Sequence, residues 1–335
     1  MSAATPATGT ALSSLRKLIQ RRVSWLPVGA ALLILILMFV AGQSYFGRFL
    51  TPRLLSSLLV DNAYLVVLAA GMTFVILTGG IDLSVGAVMA FTGMLAAKLL
   101  STGVPTGVVI PLMIASGAVF GLVIGVLVNY FDVQPFIASL AGMFLARGLC
   151  FVVSLEAVQV KDTTVLGLQS TKLGTFEWYI TPTGIIALLV IVVAAWVLGY
   201  TRFGRTVYAI GGNEQSARLM GLPVARTKVL VYVISGVCAG IAGLLFTAYT
   251  AAGYSLNGIG TELDTIASVV IGGTLLAGGS GYVIGSLVGV LVYGVIKVAI
   301  TFLGADSSWT RITIGILLLV FVVVQRVLVA RGSRR

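Results

Sequence analysis

Apolar residues in this chain do not alternate with polar ones. They run on for long stretches, interrupted by short polar or glycine-rich breaks. Crossing a hydrocarbon core takes about 20 helical residues. Ten runs approach that length: 26–44, 57–78, 83–100, 107–129, 135–155, 182–200, 228–250, 265–279, 282–303 and 310–327. The eighth is short and rich in glycine, as a half-helix or re-entrant segment would be. The expected fold is an all-α polytopic membrane protein of about ten transmembrane helices, some broken. It forms a single transmembrane domain over 26–327, with tails at 1–25 and 328–335 and a long inner loop at 201–227.

The most unusual break is Thr78-Gly-Gly-Ile-Asp-Leu-Ser-Val-Gly-Ala87, which sets a lone carboxylate, Asp82, between two apolar runs. Glycine relaxes the backbone enough to stop the first helix, and Asp82 or Ser84 is suited to cap the next. A charge at membrane depth costs about 3 kcal/mol on insertion scales. Asp82 must therefore face protein, water or the interface. Broken helices beside a cavity are one way transporters build a path; an ordinary capped turn between two spans is the plainer alternative.

A weak repeat joins Gly121-xxx-Gly125-Val-Leu-Val to Gly285-xxx-Gly289-Val-Leu-Val, with Gly117 and Gly281 one turn earlier. Counted through ten crossings, the two segments run in opposite directions. That suits an inverted repeat relating spans 2–5 to spans 7–10. Chance is the competing explanation in a chain with 41 glycines.

Composition narrows the class further. Of 335 residues, 59% are hydrophobic and 9% charged, and the mean hydropathy is +1.11; soluble domains carry about 25% charged residues. The formal net charge of +11 does not point to nucleic acid, because the basic residues gather at helix ends and tails. Arg16, Lys17, Arg21 and Arg22, the 201–228 loop with Arg202, Arg205, Arg218, Arg226 and Lys228, and the tail with Arg326 to Arg335 all fall on one side of a ten-span topology. The positive-inside rule makes that side the cytoplasm, with both termini in it. Arg48 and Arg53 are the exceptions. With no histidine and two cysteines in apolar segments, neither a metal site nor a disulfide framework is expected.

No phosphate-binding loop, nucleophile elbow or zinc-protease motif is present, so the chain is not expected to be an enzyme. Asp61, Asp82, Lys98, Arg147 and Lys297 are the ionisable residues within or near spans. Most lie close enough to helix ends to cap or snorkel. That weakens an ion-coupled secondary sugar carrier, which remains the alternative function. The inner loop reads as a short amphipathic helix: Asn213 caps it, Glu214 suits its positive end, Arg218, Leu219 and Met220 follow, and Gly221 and Pro223 stop it. Such a helix fits a groove on a partner. On the outer side Tyr254, Asn257, Glu262 and Asp264 supply a ring, an amide and carboxylates suited to sugar passage or to docking an external protein.

The run from Asp61 through Thr78-Gly-Gly-Ile-Asp-Leu-Ser-Val-Gly86 resembles the membrane permeases of bacterial ABC importers for ribose, xylose, galactose and related sugars. Gln134-Pro-Phe-Ile-Ala-Ser-Leu-Ala-Gly-Met143, Arg202-Phe-Gly-Arg205, Ala209-Ile-Gly-Gly-Asn213 and Ala267-Ser-Val-Val-Ile-Gly-Gly-Thr-Leu-Leu276 extend the resemblance over about residues 55–325. Within the family it looks most similar to the galactofuranose-importer type, through Thr73-Phe-Val-Ile76, Leu140-Ala-Gly-Met-Phe144 and Ser307-Ser-Trp309. The resemblance implies a permease of the bacterial inner membrane that pairs with a second, identical or different, permease subunit. It would take a monosaccharide from a periplasmic binding protein and be driven by a cytoplasmic ABC ATPase. The chain itself would bind no cofactor, ATP being used by the partner. By the same resemblance the Gly79–Gly86 break lies in the region of the path, and the 213–221 helix, with Asn213, Glu214, Arg218, Met220 and Gly221, is the one that seats in the ATPase. Asn62, Asp82 and Ser84 are the residues expected to line or shape that path, and Tyr254, Asn257, Glu262 and Asp264 those expected at the docking of the binding protein. The basic extension Met1 to Arg22 departs from the family pattern.

Overall fold

A computed structural model describes the backbone of residues 8–306 and 308–332, and side chains within 27–306 and 308–323. Ser307 and the extreme ends of both tails lie outside the described residues. The chain opens with α1 (Thr8–Phe46), which carries Pro27 inside it. The expected inner tail is thus helical from Thr8. At 1.5 Å per residue, α1 is too long to lie wholly within a bilayer. Next come α2 (Pro52–Asp61) and α3 (Ala63–Leu77), then α4 (Val85–Ser101), α5 (Thr106–Tyr130) and α6 (Pro135–Val153). The outer segment holds β1 (Val158–Gln159), α7 (Thr163–Ser170), β2 (Leu173–Gly174) and β3 (Tyr179–Ile180). α8 (Pro182–Tyr200) leads to α9 (Arg202–Gly212) and α10 (Glu214–Leu219), and α11 (Val224–Thr250) follows. β4 (Ala252–Gly253), α12 (Thr261–Ile271), α13 (Val283–Phe302) and α14 (Ser308–Gly332) complete the chain.

Each of the ten apolar runs lands on helix, but not as ten equal rods. Among the described residues, six helices are long and apolar enough to cross a membrane, seven if the bent pair α2 and α3 counts as one span. The run at 57–78 is this pair, which starts at Pro52 and turns by 54° around Asn62. Thr51 caps α2 through a 3.2 Å bond from the Leu54 amide, with Pro52 preset for the first turn. The run at 83–100 is the 17-residue α4. The eighth run is helical only through the 11-residue α12 and then unwinds into the turn at 272–282. Residues 202–212, expected as loop, form α9 instead. Its buried side comprises Gly204, Thr206, Val207 and Ile210, with Thr201 as its cap.

The core is built around α3, where every residue except Tyr64 is buried. A helix apolar on all faces finds its place in the middle of a bundle. α11 packs along it and also against α4 and α5. The α5 crossing is close enough for backbones to touch: a Cβ on Gly121 would fall on the Tyr232 carbonyl, and Gly117 and Gly236 exclude one another in the same way. Without a hydrophobic drive in lipid, such small-residue contact is what draws helices together. α13 meets α12 similarly, Gly285 on Gly272 and Gly289 on Ser268. Gly281, expected one turn earlier on the same helix, lies in the preceding turn with φ +152. Its match to Gly117 therefore fails, because α13 begins only at Val283. At the far end of the bundle from α10, β1 pairs antiparallel with β4, tying the 155–160 segment to the end of α11.

Candidate functional site

The break between α3 and α4 is a closed structure. Gly79 turns the chain with φ +81, a conformation disfavoured for side chains with a Cβ. Asp82 is 1% exposed. Its Oδ1 accepts from the Ser84 amide at 3.0 Å and the Ser84 hydroxyl at 2.6 Å, and its Oδ2 accepts from the Ser235 hydroxyl of α11 at 2.7 Å. Three donors thus hold the carboxylate, as a buried charge requires. Asp82 does serve the start of α4, but it also ties that start to α11, which no local cap does. Ser84 occupies the cap position without capping, since its hydroxyl is given to Asp82. Beside them the Tyr232 hydroxyl is buried without a hydrogen-bond partner among the described residues, and a Cβ on Gly80 would come within 2.6 Å of it.

Asn62 is elsewhere. It sits at the bend between α2 and α3, separated from the break by α3, a distance of about 22 Å along the helix axis. It is 4% exposed, and its Nδ2 donates to the Leu58 carbonyl at 2.8 Å. It borders a cavity of about 480 Å³ together with Asp61, Tyr249 and Lys297.

α10, in the segment expected on the inner side, matches its expected anatomy. The Asn213 side chain accepts from the Ser216 amide at 2.7 Å, and Gly221 ends the element with φ +74. Ala217 is buried against Ile210 and Val224, while Leu219 is 83% and Met220 68% exposed. Glu214 is paired twice, with Arg218 at 2.6 Å and Lys228 at 3.0 Å. Partial burial pushes its carboxyl up, but hydrogen bonds from Lys228 and Arg218 and their charges together hold it below the ordinary 4.5. A depressed folded value means these pairs support α10 above the unfolded value and are lost as pH falls through the folded one. The Glu214 carboxyl carbon, followed by NMR, should titrate below 4.5. A midpoint at or above the ordinary value would mean the pairs do not hold it.

The base of α10 shows a contact that no local pattern announces. Gly211, two residues before the Asn213 cap, lies against the Leu77 carbonyl and the Gly279 backbone, where an added Cβ would have no room. Gly279 in turn donates its amide to the Leu77 carbonyl at 2.9 Å. A Cβ on Gly278 would lie 2.8 Å from the Gly79 amide nitrogen. Tyr208 of α9 donates to the Gly281 carbonyl at 2.8 Å. The two broken turns, after α3 and after α12, therefore meet each other and the foot of the inner helix, backbone to backbone. Ala209-Ile-Gly-Gly-Asn213 was visible in the sequence; that its first glycine bears this contact was not.

The outer residues are held in different ways. Tyr254 is exposed, whereas Asn257, Glu262 and Asp264 are partly buried. Glu262 accepts from the Gly260 amide at 3.2 Å, and Asp264 accepts from Tyr293 of α13 at 3.1 Å while lining a cavity. Arg147, the lone charge on α6, donates to the Ser255 and Asn257 carbonyls at 2.7 and 2.6 Å and clamps the loop. Leu256 and Ile259 stand exposed on that loop, and Leu263 on the first turn of α12. Among the described residues, no group of three or more histidine, cysteine or acidic side chains could hold a metal.

Residues 54–322 match the family described as "Branched-chain amino acid transport system / permease component". The chain is 43% identical over 338 aligned positions to the fructose import permease protein FruG of Bifidobacterium longum, covering 98% of this chain and 99% of the relative. It is 44% identical to the inner membrane ABC transporter permease protein YjfF of Escherichia coli, covering 91% and 94%. It is 35% identical to the ribose import permease protein RbsC of the same organism, covering 90% and 94%. With the family match over most of its length and relatives named as import permeases aligned nearly end to end, this multi-pass membrane protein belongs to the ABC sugar-import permease family.

Proposed function

We propose that the chain is the membrane gate of an importer that carries a monosaccharide, a galactofuranose-type sugar or a related pentose or hexose, across the bacterial inner membrane. The ten segments cross the membrane with both termini in the cytoplasm, and a cytoplasmic ATPase, a periplasmic sugar-binding protein and a second permease subunit complete the assembly. ATP is bound and hydrolysed by the partner; this chain binds no cofactor. Asn213, Glu214, Arg218, Met220 and Gly221 form the contact with the ATPase, and the outer loop around Tyr254 receives the binding protein. Asp82 and Ser84 shape the path by holding the break between spans closed on α11.

The observation that carries this reading is the end of α9, at the base of α10, seated on both broken turns. A push on the exposed Leu219 and Met220 passes from α10 through Ala217 to Ile210 of α9, whose Gly211 and Tyr208 touch Leu77, Gly279 and Gly281. Packed elements with two discrete arrangements convert such small shifts into opening and closing. The binding partner need favour one arrangement by only a few kcal/mol.

The repeat is supported by the packing. Exchanging α3 with α11, α4 with α12, α5 with α13 and α6 with α14 turns the α5–α11 contact into α13–α3, α4–α5 into α12–α13, α4–α6 into α12–α14 and α4–α11 into α12–α3; all eight occur.

Vesicles holding the chain with its three partners should accumulate sugar when supplied with ATP, and Met220→Asp should cut uptake on the order of tenfold while hydrolysis continues. Accumulation by the chain alone under an ion gradient, without ATP, would instead establish the secondary carrier.

A further inference from the structure

The outer cavity of about 480 Å³ at Asn62 has the makings of a ligand site of its own. Its volume falls in the range of small-molecule sites, about 300–1,000 Å³. Its wall combines apolar surface with a few convergent polar groups. Asn62 is the most telling of these. Its Nδ2 is committed to the Leu58 carbonyl, and Gly294 of α13 packs so closely that a Cβ there would lie 2.8 Å from that nitrogen, so the amide is fixed in orientation. Its Oδ1 is left buried and without a hydrogen-bond partner among the described residues. Unpartnered buried acceptors are rare and cost about 1–3 kcal/mol.

Next to Asn62, the partly buried Asp61 carboxylate makes no hydrogen bond or ion pair among the described residues, with the Lys297 ammonium on the opposing helix lining the same space. Tyr249 adds a ring to the wall, itself packed into a cluster with Tyr64 and Phe246 at centroid distances of 6.4 Å each. A carboxylate and an amide oxygen as acceptors, an ammonium as donor and an aromatic face are the groups a sugar uses: hydroxyls to the polar set and the ring face to the tyrosine. A second cavity of about 430 Å³ shares Lys297 and Thr301 with the first and reaches Asp264 and Arg311. Lys297 and Thr301 of α13 thus stand between the two cavities.

We propose that this cavity is a monosaccharide-binding subsite of the permease, with Asn62, Asp61 and Lys297 taking sugar hydroxyls and Tyr249 the ring face. The proposal rests on the transport reading above and adds to it a recognition step within the permease itself. Arg48 and Arg53 also line the cavity, so its cations outnumber its one lining carboxylate; at the Asn62 end, however, Asp61 and the unpartnered Asn62 amide oxygen are acceptors that would repel an anion. A hydroxyl satisfies both.

Ser57 lines the cavity, and the two native cysteines are buried, so a Ser57→Cys variant offers one thiol to a water-soluble thiosulfonate reagent. The test uses the complete importer in nanodiscs, with D-fructose, D-ribose, D-galactose and D-allose as probes. Labelling slows by the factor 1 + [L]/Kd, so a site of about 1 mM affinity gives about tenfold protection at about 10 mM sugar. We expect that protection at Ser57→Cys, none at an exposed control, Ser101→Cys, and its loss in Asn62→Leu and in Lys297→Met, the second altering an exposed side chain. Equal labelling with and without every sugar, in an importer that still takes sugar up in vesicles, overturns the subsite and leaves the transport reading standing. Protection without ATP-driven uptake keeps the subsite and overturns the transport reading. Protection that persists in both variants overturns the assignment of the site to Asn62 and Lys297.

Discussion

Gly211→Ala should uncouple sugar uptake from ATP hydrolysis, whereas Gly212→Ala should not. The two glycines are neighbours at the end of α9, and alanine favours helix at either by up to about 1 kcal/mol. Their surroundings differ completely. A Cβ at 212 meets nothing within 4 Å, while one at 211 meets the Leu77 carbonyl and the Gly279 backbone, neither of which is a side chain that can swing aside. Overpacking of this kind costs about 1–3 kcal/mol, enough to lower uptake on the order of tenfold to hundredfold if the junction carries the motion. Sugar taken up per ATP hydrolysed, in vesicles with the full importer, is the quantity to measure. Equal ratios for the two variants would show that the junction is mere packing.

The second large effect is expected at Asp82. Asp82→Ala leaves the Ser84 amide, the Ser84 hydroxyl and the Ser235 hydroxyl without their common acceptor in a buried place. At about 1–3 kcal/mol for each group left unsatisfied, both thermal stability in detergent and uptake should fall, uptake by on the order of a hundredfold. Asp82→Asn keeps an acceptor for the Ser84 amide and offers an amide donor that the Ser235 hydroxyl can accept after rotating, so it should recover part of the loss. Ser235→Ala separates the two tasks of the carboxylate: it cuts the tie to α11 but spares the turn at Ser84. An intermediate loss of uptake is expected. Wild-type uptake in Ser235→Ala, with Asp82→Ala impaired, would reduce Asp82 to a local cap.

Much of this architecture was legible before any coordinates. Continuous apolar runs placed the helices, because a span's length is dictated by membrane thickness and its composition by the absence of water. The inner helix was equally plain, since Asn213, Glu214 and Gly221 act on their own backbone within a few residues. The α9 helix was missed. Glycines at 204, 211 and 212 read as loop, yet Gly204 and Gly211 serve close contacts with α8 and with the broken turns. The bend at Asn62 was missed for a related reason, since an apolar run looks the same whether straight or turned.

The site residues divide along the same line. Asn62, Asp82 and Ser84 looked like one constellation, because they flank one span; the folded chain puts Asn62 and Asp82 at opposite ends of α3. Asp264 looked like its neighbours in an outer loop, and helix geometry turns it instead toward Tyr293. Arg147 looked like a stray charge near a helix end, and it clamps the outer loop.

What the amino-acid order determines alone is therefore the class of protein, the places where helices run and break and the local form of α10, all consequences of forces acting within a few residues or between a segment and its solvent. Which helix face meets which neighbour was decided only in three dimensions. α3 is apolar on every side, so no periodicity marks a preferred face, and in lipid the choice falls to small-residue contacts such as Gly121 on Tyr232 and Gly211 on Leu77, which depend on residues far away in the chain.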